Sequence, residues 1–446
     1  IYVSRRGYFN SVLIMSAKGP SQYEEFLLRS ADGSNTVDLK GKTVMFEYFE
    51  NIFSPVITAK ALVQSTGDAL EGPEGKLQSV YNGLPLRGGE QLSFKISGNT
   101  ETNPGLDFSD DPEKYLHVES ITNVVTETSK ETFVLNLCSR ENITNETSRI
   151  GRKFASSPVS DSVEKILKDY LKTNKELKID KTQNKYGFIG NMRKPFTIIT
   201  WLASKSVSAK SKNEDDSTAG FVFFETKDGF NFRSIDDLVS EKPSDYEYFF
   251  TEVVKSVKTN NDFNILKYST NRNQDLIGKL RKGAFCSHRM FMNPLTFEYT
   301  PYDKGLFTYN DYAGKFTALG EKPEIPEELQ SNPSRNITAV LDMGTLEVGV
   351  STAMNADPGK VQSQTMMRYN LITTQVVSMM VPSNTNLKAG DVIKVEVPKI
   401  DREKRKDVDQ QQSGLYMIKA LCHHFDTQNS YTSLELIRDT FGPQEK

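Results

Sequence analysis

Residues of reactive type stand together in Cys422-His423-His424. A thiolate and two imidazoles are zinc ligands, and a structural zinc site needs about four, usually in short paired spacings. In an extended segment neighbours point to opposite faces, so Cys422 and His424 would converge while His423 turns away. The other histidines, His117 and His288, and the other cysteines, Cys138 and Cys286, lie far off in sequence. Neither a CxxC pair nor an HExxH helix occurs. Both histidines of the run are therefore expected to be packing residues. Gly72-Pro73-Glu74-Gly75-Lys76 invites a phosphate-loop reading, but its glycines stand too close together and Leu77 replaces the required Ser or Thr. The acidic pairs Asp110/Asp111 and Asp215/Asp216 fall in polar stretches, where solvated carboxylates are expected. Glycoside hydrolysis would need two carboxylates facing each other across a cleft. No Rossmann fingerprint or nucleophile elbow is present. No residue is assigned a catalytic, cofactor-binding or metal-ligating role. No cofactor is expected, and the chain is not expected to be an enzyme.

Composition narrows the partners. A chain of 446 residues has room for two to four domains with ample core. It carries 55 basic and 58 acidic residues, net −3, which argues against a protein that grips nucleic acid by its phosphates. Arg402, Lys404, Arg405 and Lys406 alternate with Asp401, Glu403 and Asp407, the pattern of a solvated loop. No run approaches the roughly 18 apolar residues of a membrane span, so none is expected. Arg5 and Arg6 precede the apolar Ser11–Met15, which is too short for a signal-peptide core. Three distant cysteines make no disulfide framework, and a reducing compartment such as a cytoplasm fits. The sequons at Asn142, Asn145 and Asn336 are expected to be chance matches.

The elements that must position these residues are mostly strands. Glu24–Arg29, Thr43–Phe49, Ala59–Gln64, Gln91–Ile96, His117–Ile121 and Glu131–Cys138 alternate with period two or are rich in β-branched and aromatic residues. Turn clusters such as Asp32-Gly33-Ser34-Asn35 and Gly88-Gly89 separate them, and no clear helix interrupts. The texture then changes. Asp161-Ser162-Val163-Glu164 reads as a capping box with Asp161 as N-cap. Val163, Ile166, Leu167, Tyr170 and Leu171 follow on one helical face. A second helix is predicted from Pro195, with Phe196, Ile199, Ala203 and Val207 along one side. Phe221–Glu225 and Phe230–Arg233 flank a hairpin turn at Thr226-Lys227-Asp228-Gly229. Ser234 with Asp237 is predicted to cap a short helix. Strand signals return at Tyr246–Lys255, Phe263–Tyr268 and Phe285–Phe291, with a helix over Asp275–Arg281. Residues 300–362 are rich in Pro and Gly and read as a partly irregular insertion. Gln364–Val381 leads into three closing strands: Val392–Val397, Leu415–Phe425 and Tyr431–Asp439. The middle one is apolar on both faces and is expected to be covered on both.

These closing strands carry a resemblance. Gly390 to Pro398, Gly414 to His423 or His424, and Tyr431 to Asp439 resemble the closing barrel of phage tail hub proteins. Lys194-Pro195-Phe196, Trp201-Leu202-Ala203, Phe224-Glu225-Thr226, Gly229-Phe230 and Phe232 to Asp236 agree in order and spacing. Together they resemble the central baseplate hub protein of contractile-tailed bacteriophages; the stretch from about 300 to 361 has no counterpart. The resemblance implies a β-dominated α+β fold: two small antiparallel β-barrels, an α+β unit between them and an irregular insertion in the second. The expected division is a first barrel at 1–148, an α+β domain at 149–242, a second barrel at 243–299 with 363–446, and an insertion at 300–362. The implied function is a homotrimeric, pseudo-sixfold ring joining the sixfold tail tube, or its initiator proteins, to the trimeric central spike protein. Other baseplate proteins would surround it. DNA would pass through its channel without specific binding. Such a protein would be assembled in the host cytoplasm and sit in the virion, at the tail baseplate. The alternatives are a hub-like component of a contractile secretion or toxin-injection machine, and a tail-associated cell-wall hydrolase.

Overall fold

The computed structural model describes residues 19–444, apart from 72–74, 85, 101–102, 211–217, 251–260, 323, 343, 346–357 and 400–407. The N-terminal run Ser11–Met15, the glycines' partners Pro73 and Glu74, the pair Asp215/Asp216 and the charge cluster 401–407 fall outside these residues.

Ten strands form in the first third of the chain: β1 (Gln22–Arg29), β2 (Thr36–Asp38), β3 (Thr43–Asn51), β4 (Thr58–Ser65), β5 (Leu70–Glu71), β6 (Leu77–Gln78), β7 (Gln91–Thr100), β8 (Asn103–Phe108), β9 (Leu116–Thr126) and β10 (Glu131–Ser139). A single helical turn, α1 (Val80–Gly83), and a 3-10 turn at Pro112–Lys114 interrupt a region expected to be all strand. Next come α2 (Arg140–Thr147), β11 (Lys153–Pro158), α3 (Val159–Asp169), β12 (Glu176–Ile179), β13 (Lys185–Ile189), α4 (Pro195–Ala203), β14 (Phe221–Thr226), β15 (Gly229–Ser234) and α5 (Ile235–Val239). The remainder holds β16 (Glu247–Phe249), β17 (Lys267–Arg272), α6 (Leu276–Arg281), β18 (Cys286–Met292), α7 (Tyr302–Gly305), β19 (Leu306–Thr308), α8 (Asn310–Ala313), α9 (Glu327–Ser331) and β20 (Arg335–Val340). It ends with α10 (Pro358–Leu371), β21 (Gln375–Pro382), β22 (Val392–Glu396), β23 (Gly414–Asp426) and β24 (Ser430–Arg438).

The architecture is β-dominated α+β. Fourteen strands join in one sheet, whose main path runs β17-β21-β24-β23-β3-β4-β10-β9-β7-β1-β2. Its pairings along that path are antiparallel. The early and late strands meet where β3 pairs β23, from Asn51 opposite Ala420 to Met45 opposite Asp426. The β7–β9 pairing is only two residues long, so the early strands turn away from one another there. Period-two alternation puts Phe46, Tyr48, Ala59, Ala61, Phe133, Leu135, Phe425 and Leu434 on one face, where they share a single buried core. A fully buried Phe or Leu in such a core contributes about 1.5–3 kcal/mol.

The hairpin β14–β15 explains why its sequence does not alternate. Phe221, Phe223, Phe230 and Phe232 pack against Val163, Ile166 and Leu167 of α3 and Phe196, Ile199 and Leu202 of α4. Val222 and Phe224, on the other face, pack with Ile235 and Leu238 of α5 and with Val376, Val392, Met417 and Ile437 behind the late strands. The hairpin is thus a middle layer, apolar on both sides. β12 adds to it in parallel, Glu176 opposite Gly229.

Several expectations are corrected. The helix predicted from Asp161 begins at Val159, directly after Pro158. The Ser160 N–H donates to Thr182 Oγ1 at 2.9 Å, so a residue distant in sequence serves the first turn. Asp161 faces solvent, 3.3 Å from Lys181 Nζ. Ser234 stands at the N-cap of α5 but makes no side-chain cap; Ile235 N–H donates to Gly220 O instead. The run Gln364–Val381 is helix as far as Leu371 and strand only from Gln375. The strand signal at Phe263–Tyr268 materialises later, as β17, after a 3-10 turn at Asn261–Phe263. The strand expected at Phe285–Phe291 forms, as β18, but pairs with β19 and β20 in a separate sheet, because residues 306–308 and 335–340 supply its partners. The helix α2 was not expected: its residues are polar and poor helix formers.

Candidate functional site

The Cys-His-His run lies on β23. His423 points into the core, fully buried, its Nδ1 3.0 Å from Thr432 Oγ1 and its ring stacked on Tyr48. Burial, with Lys227 nearby, lowers its pKa to about 3, so the ring is neutral at physiological pH. His424 points outward. Its Nδ1 lies 3.1 Å from Glu47 Oε1, its Nε2 3.3 Å from Asp426 Oδ2, and its ring stacks on Tyr431. Cys422 shares the outward face, where burial pushes its thiol up to about 12. Among the described residues, no three His, Cys, Asp or Glu side chains gather as metal ligands would. Gly75 sits at φ +70 between the short strands β5 and β6, a hairpin turn. Asp111 caps the 3-10 turn, accepting from Glu113 N–H at 3.0 Å. The sequon residue Asn145 is buried, and its Oδ1 accepts the Phe196 N–H at the start of α4.

What the fold assembles instead is a set of buried charges at the joints between layers. Lys175, with its side chain 6% exposed, lies 2.8 Å from Glu141 Oε2 on α2 and 2.7 Å from Glu225 Oε1 on β14. Thr173 Oγ1 donates to Glu141, while Ile57 N–H and Ser139 Oγ donate to Glu225. Burial works against the Lys175 ammonium, yet its two carboxylates outweigh burial and raise its pKa. Burial raises the Glu225 carboxyl.

A second joint lies at Glu50 on β3. Its carboxylate accepts from Tyr48 Oη at 2.8 Å, from Lys227 N–H at 2.7 Å and from Ala389 N–H at 2.9 Å. One side chain so fixes the hairpin turn of β14–β15 and the loop before β22 to the early strands. Burial lifts its pKa to about 7 against these three donors. A third joint centres on Arg368 of α10, fully buried, with Nη1 2.8 Å from Asp439 Oδ2 and Nη2 2.8 Å from Asp236 Oδ1. Tyr312 Oη donates to Asp236, and Leu319 N–H donates to Asp439. These residues escaped the sequence reading. The signal was there: Arg368 interrupts an apolar run, Glu50 stands at alternate positions with Tyr48 and Ile52, and Glu225 ends the apolar residues 221–224, and a charge so placed must be paired.

On the outer face of the sheet, one register row crosses five strands: Phe49, Cys422, Ser433, Met380 and Lys267. With Ser269, Ser378, Glu435 and Ala420 of the next outward row they line an open groove of about 400 Å³, while Met379, Leu421 and Leu434 between the rows turn into the core. No pair of carboxylates and no nucleophile with a base converges in it. Its chemistry is that of a contact surface.

The whole-chain fold defines the class first. No family model matches the chain. The 43 kDa tail protein of prophage MuSo2 from Shewanella oneidensis superposes with a TM-score of 0.53 at 9% identity, over 94% of this chain and 100% of that one. The tail protein from Neisseria meningitidis MC58 gives 0.51 at 10% identity, over 94% and 97%. The fold is therefore that of phage-type tail proteins. In sequence, the chain is 22% identical over 305 residues to a probable baseplate hub protein of Vibrio phage KVP40, covering 64% of this chain and 67% of the relative. In sequence the chain is thus similar to a phage baseplate hub protein, and in fold to phage tail proteins.

Proposed function

We propose that this chain is the structural hub of a contractile phage tail baseplate. In this reading two small β-barrels lie in each chain: the early strands at 1–148 and the late strands at 243–299 with 363–446. Residues 149–242 form the α+β unit and 300–362 the insertion. Three copies make a ring with six barrels, which meets a sixfold tail tube on one side and a trimeric spike on the other. Matching patches recurring at the partner's angles are what such an adaptor needs. The channel would pass DNA without gripping it, and the protein would reside in the virion baseplate.

The observation that carries this reading is the shared sheet. Early and late strands join edge to edge through β3–β23, so the two halves are held side by side in fixed orientation. Glu50 through the Lys227 N–H, Lys175 through Glu141 and Arg368 through Asp236 tie the α+β layer to the strands and helices around it. Such rigidity suits a ring, and nothing in the geometry described assembles a reaction centre. The test is to purify the chain with its spike partner and image the complex by electron microscopy. Rings of three copies are expected. A chain that stays monomeric beside the spike ends the proposal.

A further inference from the structure

A second surface answers the apolar groove. At the end of β18 the chain turns through residues 293–299 in a compact tip. Asn293 closes it: its Oδ1 accepts the Leu295 N–H at 2.9 Å, its carbonyl accepts the Phe297 N–H at 2.9 Å, and its own N–H donates to Glu298 O at 2.8 Å. Thr300 N–H then donates to Phe291 O, and Met292 bridges Tyr299. This ordered tip exposes Leu295 by 60%, Phe297 by 75% and Tyr299 by 55%. Val340, opposite Met292 on β20, is also exposed and extends the patch. Phe297 stands at φ +59, a conformation a bulky residue rarely adopts. A loop that holds an aromatic residue in that state only to leave it in water gains nothing from it in the isolated chain. Strained residues cluster at sites of function.

We infer that the tip 293–299 of one copy seats in the outer-face groove of the next, as the heterologous contact that closes the ring. The inference rests on the ring proposed above and supplies the contact. Knob and groove lie on different surfaces of one chain, which is the condition for head-to-tail closure. A groove of about 400 Å³ whose outward apolar side chains are Phe49, Met380, Ala420 and Cys422 takes one or two large apolar side chains. Charge agrees as well. The groove's Glu435 is already paired with Lys419 at 2.8 Å, whereas the exposed Lys267 has no partner among the described residues; the tip carries Glu298, whose carboxylate meets only the Thr296 hydroxyl among those residues.

The experiment follows oligomeric state against concentration, by mass photometry, for the full chain mixed with its spike protein. Phe297→Gly is the informative variant, because glycine accepts φ +59 while removing the ring. Its melting temperature should equal or exceed that of the wild type, and its assembly should need at least about tenfold more protein. Lys267→Glu and Glu298→Lys should each weaken assembly, and the double exchange should restore it. If the wild type forms rings and Phe297→Gly forms them at the same concentration, the tip is not the contact, though the ring stands. If the wild type forms no ring, the ring reading fails and takes this inference with it.

Discussion

Glu50 and His423 are held out of their ordinary ionisation ranges in opposite senses. Burial raises Glu50 from 4.5 to about 7 and lowers His423 from 6.5 to about 3. A carboxyl whose folded pKa is raised gives stability that is full below about pH 4.5 and is lost as pH rises to about 7. An imidazole whose folded pKa is lowered gives stability that is full above about pH 6.5 and is lost as pH falls toward 3. Between about pH 4.5 and 6.5 the two slopes, each near 1.4 kcal/mol per pH unit, oppose each other. Urea denaturation across this range should show Glu50→Gln gaining stability as pH rises, relative to wild type. His423→Asn should lose it. Parallel curves for all three proteins would sink the assignment. The thiols allow a simpler check. Burial pushes Cys138 up to about 11 and Cys422 to about 12, and raises Cys286. A thiol reagent at neutral pH should therefore titrate them slowly in the native protein and at once in denaturant; rapid reaction of any of the three without denaturant would contradict this.

At the scale of elements, the β14–β15 hairpin was the part most legible in the sequence. Its turn residues and its two Phe-rich arms are contiguous, and local signals suffice for a hairpin. Gly229 shows what the sequence did not disclose. It sits at φ +143, and a Cβ there would meet Glu176 O at 2.2 Å. The glycine is needed less for the turn than for the parallel strand β12 laid against it. Gly229→Ala should cost on the order of 2–4 kcal/mol and loosen β12. Amide exchange should then accelerate at residues 176–179; unchanged protection there would refute the close approach. By contrast, α2 was illegible, because Arg140–Thr147 has little helix propensity of its own. Its shape comes from what it holds: Glu141 reaches Lys175, and Asn145 caps α4. The capping box at Asp161 failed for a related reason, since Thr182 already satisfies the helix start.

For the molecule as a whole, the buried charges make the layers one body. Replacing Lys175 by Met would leave Glu141 and Glu225 buried beside each other without a cation. The loss should be about 3–5 kcal/mol, measured by chemical denaturation. The triple variant Lys175→Met, Glu141→Gln, Glu225→Gln should recover much of it. A single variant as stable as wild type would mean that the joint is not closed in solution.

The sequence by itself determined six of the early strands and the three closing ones, the helices at α3, α4 and α6, and the absence of a known catalytic motif, because period, turn chemistry and motif spacing are local. Its closing strands also carried the hub resemblance that the comparisons upheld. Only the tertiary structure decided that β3 and β23 make one sheet of the two halves, that β18 leaves that sheet for β19 and β20, and that Glu50, Lys175 and Arg368 are joints. Pairings between residues hundreds of positions apart leave no periodic trace. A lone charge in an apolar run says that it must be paired, and the fold supplies the partner.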